Sequence, residues 1–309
     1  MKFKIGMYLD ELGMPFREAL PLARDIGAEY VWWGDRPVGK PITALAPAEI
    51  VAMGDAMARN GLKPLFVRAG NALSATELAG LYAGPLEKNE AFRRDFDSIK
   101  ASAGVAKKIG AGAICTFGFH WPGEAAGKAT WPMRWATRGG VISDADMEKL
   151  YEAFSRVCEL AETSDLDVVV VFQMSWNYTN TTGNFRRVAE RVGSKRLKMM
   201  YNPADSVNSG EADVLVRGFE SIVPNVHSVH LKGVQVVDGP RGKYRYCPLE
   251  EGDVDFETVL RQVREHCPEA VISLATHFAS PDGRPETAMR TNMEFVRRLI
   301  GKVEGEPRS

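Results

Sequence analysis

The sequence predicts a single closed (β/α)8 barrel, and three observations carry that prediction. Eight apolar, β-type runs alternate with helical stretches along 309 residues, a length that suits one large α/β barrel. Several runs, such as "DVVVVFQ" at 167–173, are almost continuously apolar, as expected of parallel strands covered on both faces. No GxGxxG or GxxxxGK turn is present, which counts against the alternative, an open doubly wound sheet with a phosphate-binding turn.

Taken in order, the strand runs are 3–9, 30–34, 64–69, 113–119, 167–173, 197–202, 226–232 and 270–276. The first helix, "PFREALPLARDIGA", presents Leu20, Ala23 and Ile26 and ends at a glycine; Pro21 predicts a late start or a kink. The second carries Ile50, Met53 and Met57, and the third packs through Phe92, Phe96, Ile99 and Val105. The fourth is the clearest: Ser143 is placed to cap it, and Met147, Leu150, Phe154 and Leu160 form a stripe. The remaining helices are expected near 183–193, 210–222, 254–266 and 285–302. No linker or repeat divides the chain, so residues 1–309 are read as one domain. Two long loops, 119–142 and 233–251, follow strands four and seven and so border the C-terminal face of the barrel.

Composition narrows the function classes. The chain is 45% hydrophobic and 26% charged with a net charge of -1, so no general field attracts nucleic acid or anionic lipid. The first residues lack the apolar core of a secretory signal, and no apolar run has the length of a bilayer span. Cys115, Cys158, Cys247 and Cys267 form neither a CxxC pair nor a zinc-ligand spacing. They are expected to be reduced thiols in a cytoplasmic protein.

Barrel enzymes carry their chemistry at the carboxyl ends of the strands. That rule selects Asp35 and Arg36, Arg68, His120 with Trp121, Gln173 and Trp176, Asn202 and Asp205, His230 and Lys232, and His277. Strand alternation puts Ser228, His230 and Lys232 on the inner face and His227 toward the helices; Ser273, Ala275 and His277 share the inner face of the last strand. Each residue has a plain reading beside the functional one. Asp205 is a turn cap or a base. Lys232 binds substrate or an acid. Arg68 grips an anion or pairs with a structural carboxylate. His120 and His277 are pocket or loop residues, and Trp176 stacks on a sugar or packs in the core. The loop 233–251 carries Arg241, Lys243, Tyr244, Arg245 and Tyr246, a set suited to closing over a polyhydroxylated or anionic ligand.

Four segments carry a family resemblance: "YNPADSVNSGEA" at 201–212, "SVHLKG" at 228–233, "CPLEEGDVDFETVL" at 247–260 and "VISLATHF" at 271–278. They resemble the D-P-A-N, H-V-H-L-K-D, P-L-G-E-G-x-V-D-F and V-I-S-I-E-T-H-F segments of the xylose isomerase-like barrel superfamily, in its sugar phosphate isomerase/epimerase group. The resemblance implies a divalent ion, often manganese, magnesium or zinc, held by Glu, Asp, His and Glu. Those positions here are Gln173, Asn202, His230 and Ala275. Two carboxylates have become amides and one is truncated. Hard divalent ions prefer charged oxygen ligands, so no cofactor is expected, with weak manganese or magnesium binding left open.

The sequence therefore points to an isomerase, epimerase or related lyase acting on a carbohydrate or polyol by proton transfer. His230 and Asp205 are the expected proton-transfer groups and Lys232 the electrostatic stabiliser. Gln173, Asn202, Arg68, His120, Trp176 and His277 are expected to bind substrate. The alternative is a carbohydrate-binding protein that has lost catalysis, or an accessory subunit of an enzyme complex. The expected partner is a small carbohydrate, with neither nucleic acid nor membrane, and a homo-oligomer remains open.

Overall fold

The apolar runs form β1 (Lys4–Tyr8), β2 (Tyr30–Trp32), β3 (Lys63–Pro64), β4 (Val67–Arg68), β5 (Ala113–Phe117), β6 (Asp167–Val171), β7 (Leu197–Tyr201), β8 (Val226–Leu231) and β11 (Val271–Leu274). They lie parallel in the order β3-β2-β1-β11-β8-β7-β6-β5-β4. The computed structural model describes residues 2–74, 76–82, 84–120, 142–171, 177–238 and 243–305. β3 and β4 are two pieces of one stave. Lys63 pairs with Tyr30 of β2, whereas Arg68 pairs with Cys115 of β5. The two ends of the sheet are thus one run of chain, and eight staves close the barrel. Pro64, which has no N–H for a ladder, sits where the stave changes partners.

Around the barrel lie α1 (Phe16–Ile26), α2 (Pro47–Arg59), α3 (Glu90–Ile109), α4 (Asp144–Ser164), α5 (Thr182–Val192), α6 (Pro203–Asn208), α7 (Phe256–His266) and α8 (Pro285–Glu304). Their N-termini show why the sequence starts them there. Asn89, Ser143, Thr181 and Asp255 each accept a bond from the third amide that follows. α1 begins at Phe16 with Pro21 inside it, so Pro21 does not delay its start. The helix expected at 210–222 is absent as such. Asn202 caps α6, which starts at Pro203, seven residues earlier, and left-handed Gly210 and Asp213 separate it from a short π-helical turn at Val214–Gly218. No helix of the described residues is long and apolar enough to cross a membrane.

Two apolar layers result. Trp32, Phe66, Cys115, Val169, Met200 and Val271 belong to the packing inside the barrel. Met7, Val31, Ile114, Val168, Val170 and Ile272 belong to the larger layer shared with the helices. Strand alternation predicts this division. It fails at His227: between Met199 and Met200, β8 advances from Val226 to Ser228, so His227 is an extra residue opposite β7. Its ring lies 6.2 Å from Phe66 of the lumen. It helps line a cavity of about 620 Å³ at the amino end of the barrel, rather than facing the helices. All four cysteines are buried and free.

The loop 233–251 contains an antiparallel hairpin, β9 (Gly233–Asp238) with β10 (Lys243–Cys247). Gly233 opens it where backbone meets backbone. A Cβ there would stand 2.1 Å from the Cys247 carbonyl oxygen and 2.6 Å from that of Pro248. Gly233→Ala is therefore expected to destabilise the chain by about 1–3 kcal/mol, the cost typical of overpacking. Gly104→Ala, at an exposed site in α3 with nothing within 4 Å, should stabilise it by roughly 0.5–1 kcal/mol. Urea unfolding of the two variants checks both signs; equal effects would contradict the close approach at Gly233.

Candidate functional site at the barrel mouth

β7 and β8 end side by side, and the residues that follow them meet. Asn202 caps α6: its Oδ1 accepts the Asp205 amide at 3.2 Å, and its Nδ2 donates to Asp205 Oδ2 at 2.8 Å. The cap of this turn is thus Asn202, with Asp205 answering it one turn on. The other carboxylate oxygen, Oδ1, lies 2.8 Å from the Lys232 ammonium. The two side chains are 2% and 7% exposed, so this ion pair lies out of water, where removing either partner leaves an uncompensated charge.

His230 stands one inward position before Lys232. It is buried, and its Nδ1 has no hydrogen-bond partner among the described residues. Burial, the neighbouring Lys232 and His277 hold its pKa well below the usual imidazole value, so the ring is neutral. Trp32 packs edge-on against it at 5.6 Å and donates from Nε1 to Ser273 Oγ at 2.8 Å. Ala275, on the same stave as Ser273, is buried and contributes only a methyl group.

The hairpin brings Tyr246 over this cluster. Its ring centre is 5.7 Å from the Lys232 ammonium and 4.9 Å from the His277 ring. His277, in turn, lies 6.2 Å from His230. It has a left-handed backbone, φ 57°. Glu11, in the turn after β1, holds it there: Oε1 lies 2.6 Å from His277 Nδ1, while Oε2 accepts the His277 amide at 2.9 Å and the Thr276 hydroxyl at 2.5 Å. Burial opposes ionisation of Glu11, but these bonds outweigh it and bring the carboxyl down to about 2. Tyr8, Asp10, Glu11, Thr276 and His277 border a cleft of about 610 Å³ beside the mouth.

Of the residues selected from sequence, Asp205, Asn202, His230, Lys232 and His277 gather at this end of the barrel. Arg68 is engaged elsewhere: it donates to the Gly70 carbonyl at 2.9 Å and to Asn71 at 2.6 Å, and stacks over Phe117. His120 bridges Glu77 and Asn177 at a strand end, and burial lowers its pKa. Gln173 and Trp176 lie outside the described residues, as does most of the loop 119–142. Glu11 was missed. The strand-end rule covers the turn after the first strand too, but only the fold shows that its acid meets His277, 266 residues away.

The implied metal site can be tested on these donors. A divalent ion would meet an amide committed to a helix cap, a neutral imidazole and a methyl group, next to a fixed ammonium. Among the described residues no three His, Cys, Asp or Glu side chains converge as metal ligands. The described donors do not fit a hard divalent ion.

Glu11 generates a pH prediction. Its carboxyl falls from 4.5 to about 2 on folding, so it stabilises the fold above about pH 4.5 and loses that contribution as pH falls toward 2. The full effect is roughly 3 kcal/mol. Glu11→Gln should unfold more easily than wild type in urea at pH 6, with the gap closing toward pH 2. Parallel stability curves would contradict the pairing.

The family model described as xylose isomerase-like TIM barrel matches residues 20–299. A search of curated proteins finds no significant match. Among solved structures, the chain is similar to 3-keto-D-glucoside 4-epimerase from E. coli (TM-score 0.70, 15% identity, 96% of this chain and 100% of that one). It is similar to D-allulose 3-epimerase from Methylomonas sp. (0.66, 13%, 96% and 98%). It also resembles a xylose isomerase-like TIM barrel protein from Mycobacterium smegmatis in complex with magnesium (0.68, 15%, 98% and 98%). At these identities the likeness is one of fold. With the family model spanning nearly the whole barrel, the chain belongs to the xylose isomerase-like TIM barrel family.

Proposed function

We propose that the chain acts on a carbohydrate or polyol by proton transfer next to a carbonyl, as an isomerase, epimerase or related lyase, without a divalent ion. The observation that carries this reading is the buried Lys232–Asp205 pair beside the unpartnered Nδ1 of His230. Sugar epimerases share the fold, and a polyol offers hydroxyl groups to satisfy that buried nitrogen.

Proton removal next to a carbonyl leaves negative charge on the carbonyl oxygen. A preorganised cation in a water-poor site stabilises that charge. Lys232 supplies one, and Asp205 with the Asn202 cap fixes its position. His230, neutral and buried, binds a substrate hydroxyl; Tyr246 of the hairpin covers the ammonium and limits water access. Gln173, Trp176 and His120 are proposed as further substrate-binding residues. A second reading, a carbohydrate-binding protein without catalysis, is favoured by one observation: Asp205 is already paired with Lys232 rather than free to act as a base.

The test is turnover of D-allulose, L-ribulose and 3-keto-D-glucosides by chelator-treated native protein, followed by NMR. The proposal expects turnover that survives the chelator and falls at least about 100-fold in Lys232→Met, the scale of a lost oxyanion stabiliser. Turnover that needs added manganese would contradict it. An inert native protein that binds these sugars, and gains manganese-dependent turnover only with Gln173→Glu, Asn202→Asp and Ala275→Glu together, would support the second reading.

A further inference from the structure

We infer that His277 is the proton-transfer base of the mouth, that Glu11 is its positioning residue, and that the substrate class is an α-hydroxy ketone. This rests on the proton-transfer reading above and assigns its base to a residue otherwise expected only to bind substrate.

Three observations meet at this pair. First, the ionised Glu11 carboxylate takes the Nδ1 side of the ring at 2.6 Å. A proton held on Nδ1 leaves the lone pair on Nε2, and Nε2 makes no hydrogen bond among the described residues. A carboxylate that orients an imidazole and supports the imidazolium is a recurrent base arrangement. Second, His277 keeps a left-handed backbone. That conformation is unfavourable for a non-glycine residue. Glu11 pins it from two directions, through the ring and through the main-chain amide. Third, the pair adjoins the other charged group of the mouth. Tyr246 touches both His277 and Lys232, and the 610 Å³ cleft opens along Glu11, Thr276 and His277. Asp205, by contrast, is paired with Lys232, and His230 packs edge-on against Trp32.

The step balances within the substrate. Nε2 takes the proton from the hydroxyl-bearing carbon next to the ketone. The C–H electron pair forms the enediolate, whose negative charge rests on its oxygens. The imidazolium then returns the proton to the former carbonyl carbon while the hydroxyl proton passes to the other oxygen. The product is the isomeric hydroxy carbonyl. An α-hydroxy ketone supplies both the acidic C–H and the neighbouring oxygen that this requires.

The experiment uses the full chain in D2O with D-allulose and L-ribulose as probes, and follows wash-out of the α-proton by NMR. His277→Ala should slow exchange by about 100-fold or more, the usual contribution of a general base, and added imidazole should restore part of it. Glu11→Gln should lower kcat by about 10-fold with KM unchanged, and Glu11→Asp should recover some of the loss. Imidazole rescue distinguishes a missing base from a misfolded variant, which added imidazole cannot repair. Wild-type exchange that His277→Ala leaves intact, or a folded His277→Ala that imidazole does not rescue, overturns this inference while leaving the carbohydrate reading standing. A wild-type protein that exchanges no proton of either probe overturns this assignment; retained turnover of 3-keto-D-glucosides would show that the broader reading survives.

Discussion

A positive charge buried at a barrel mouth needs a permanent counter-charge, and the site is built around that requirement. Among the carboxylates of the described residues Lys232 reaches Asp205, at 2.8 Å, with both side chains out of solvent. Such a pair is at best weakly stabilising against an apolar substitute, yet losing one partner costs about 3–5 kcal/mol. Asp205 is held in turn by the Asn202 cap that starts α6. Moving that helix start would loosen the counter-charge. The early start of α6, the amide at position 202 and the ammonium at position 232 are one arrangement.

The same constraint accounts for the hairpin. The chain leaves Lys232 through Gly233, which admits the Cys247 and Pro248 carbonyls so closely that no side chain fits. β10 therefore returns along β9, and Tyr246 faces the ammonium and His277. Below this layer the lumen is apolar, filled by Trp32, Phe66, Cys115 and Met200. Polarity is concentrated where strands end, as barrel geometry favours. The corner between the first and last staves is closed by Glu11 with Thr276 and His277, joining the two ends of the chain at the site.

Sequence patterns revealed the staves because buried parallel strands are apolar on both faces, a signal that needs no tertiary information. "DVVVV" at 167–171 and "VISL" at 271–274 are the clearest cases. Parity correctly turned His230 and Lys232 inward. The same parity misplaced His227, because one extra residue in β8 resets the alternation and nothing local marks it. The hairpin strands lack the continuous apolar run of the staves, because β9 and β10 pair with each other outside the barrel. α6 was misplaced because its apolar pattern continues past Gly210, while its start depends on the Asn202 cap. Glu11 was invisible as a partner for His277, since a contact spanning 266 residues has no periodicity to read. Side-chain chemistry narrows a reaction class without naming a substrate.

The central claim is that a fixed lysine ammonium stands in the mouth in place of an exchangeable divalent ion. Calorimetric titration of manganese into chelator-treated native protein, paired with elemental analysis of the purified chain, tests it most directly. The account predicts no stoichiometric binding and no co-purified metal. One tightly bound ion per chain, lost on His230→Ala, would contradict it.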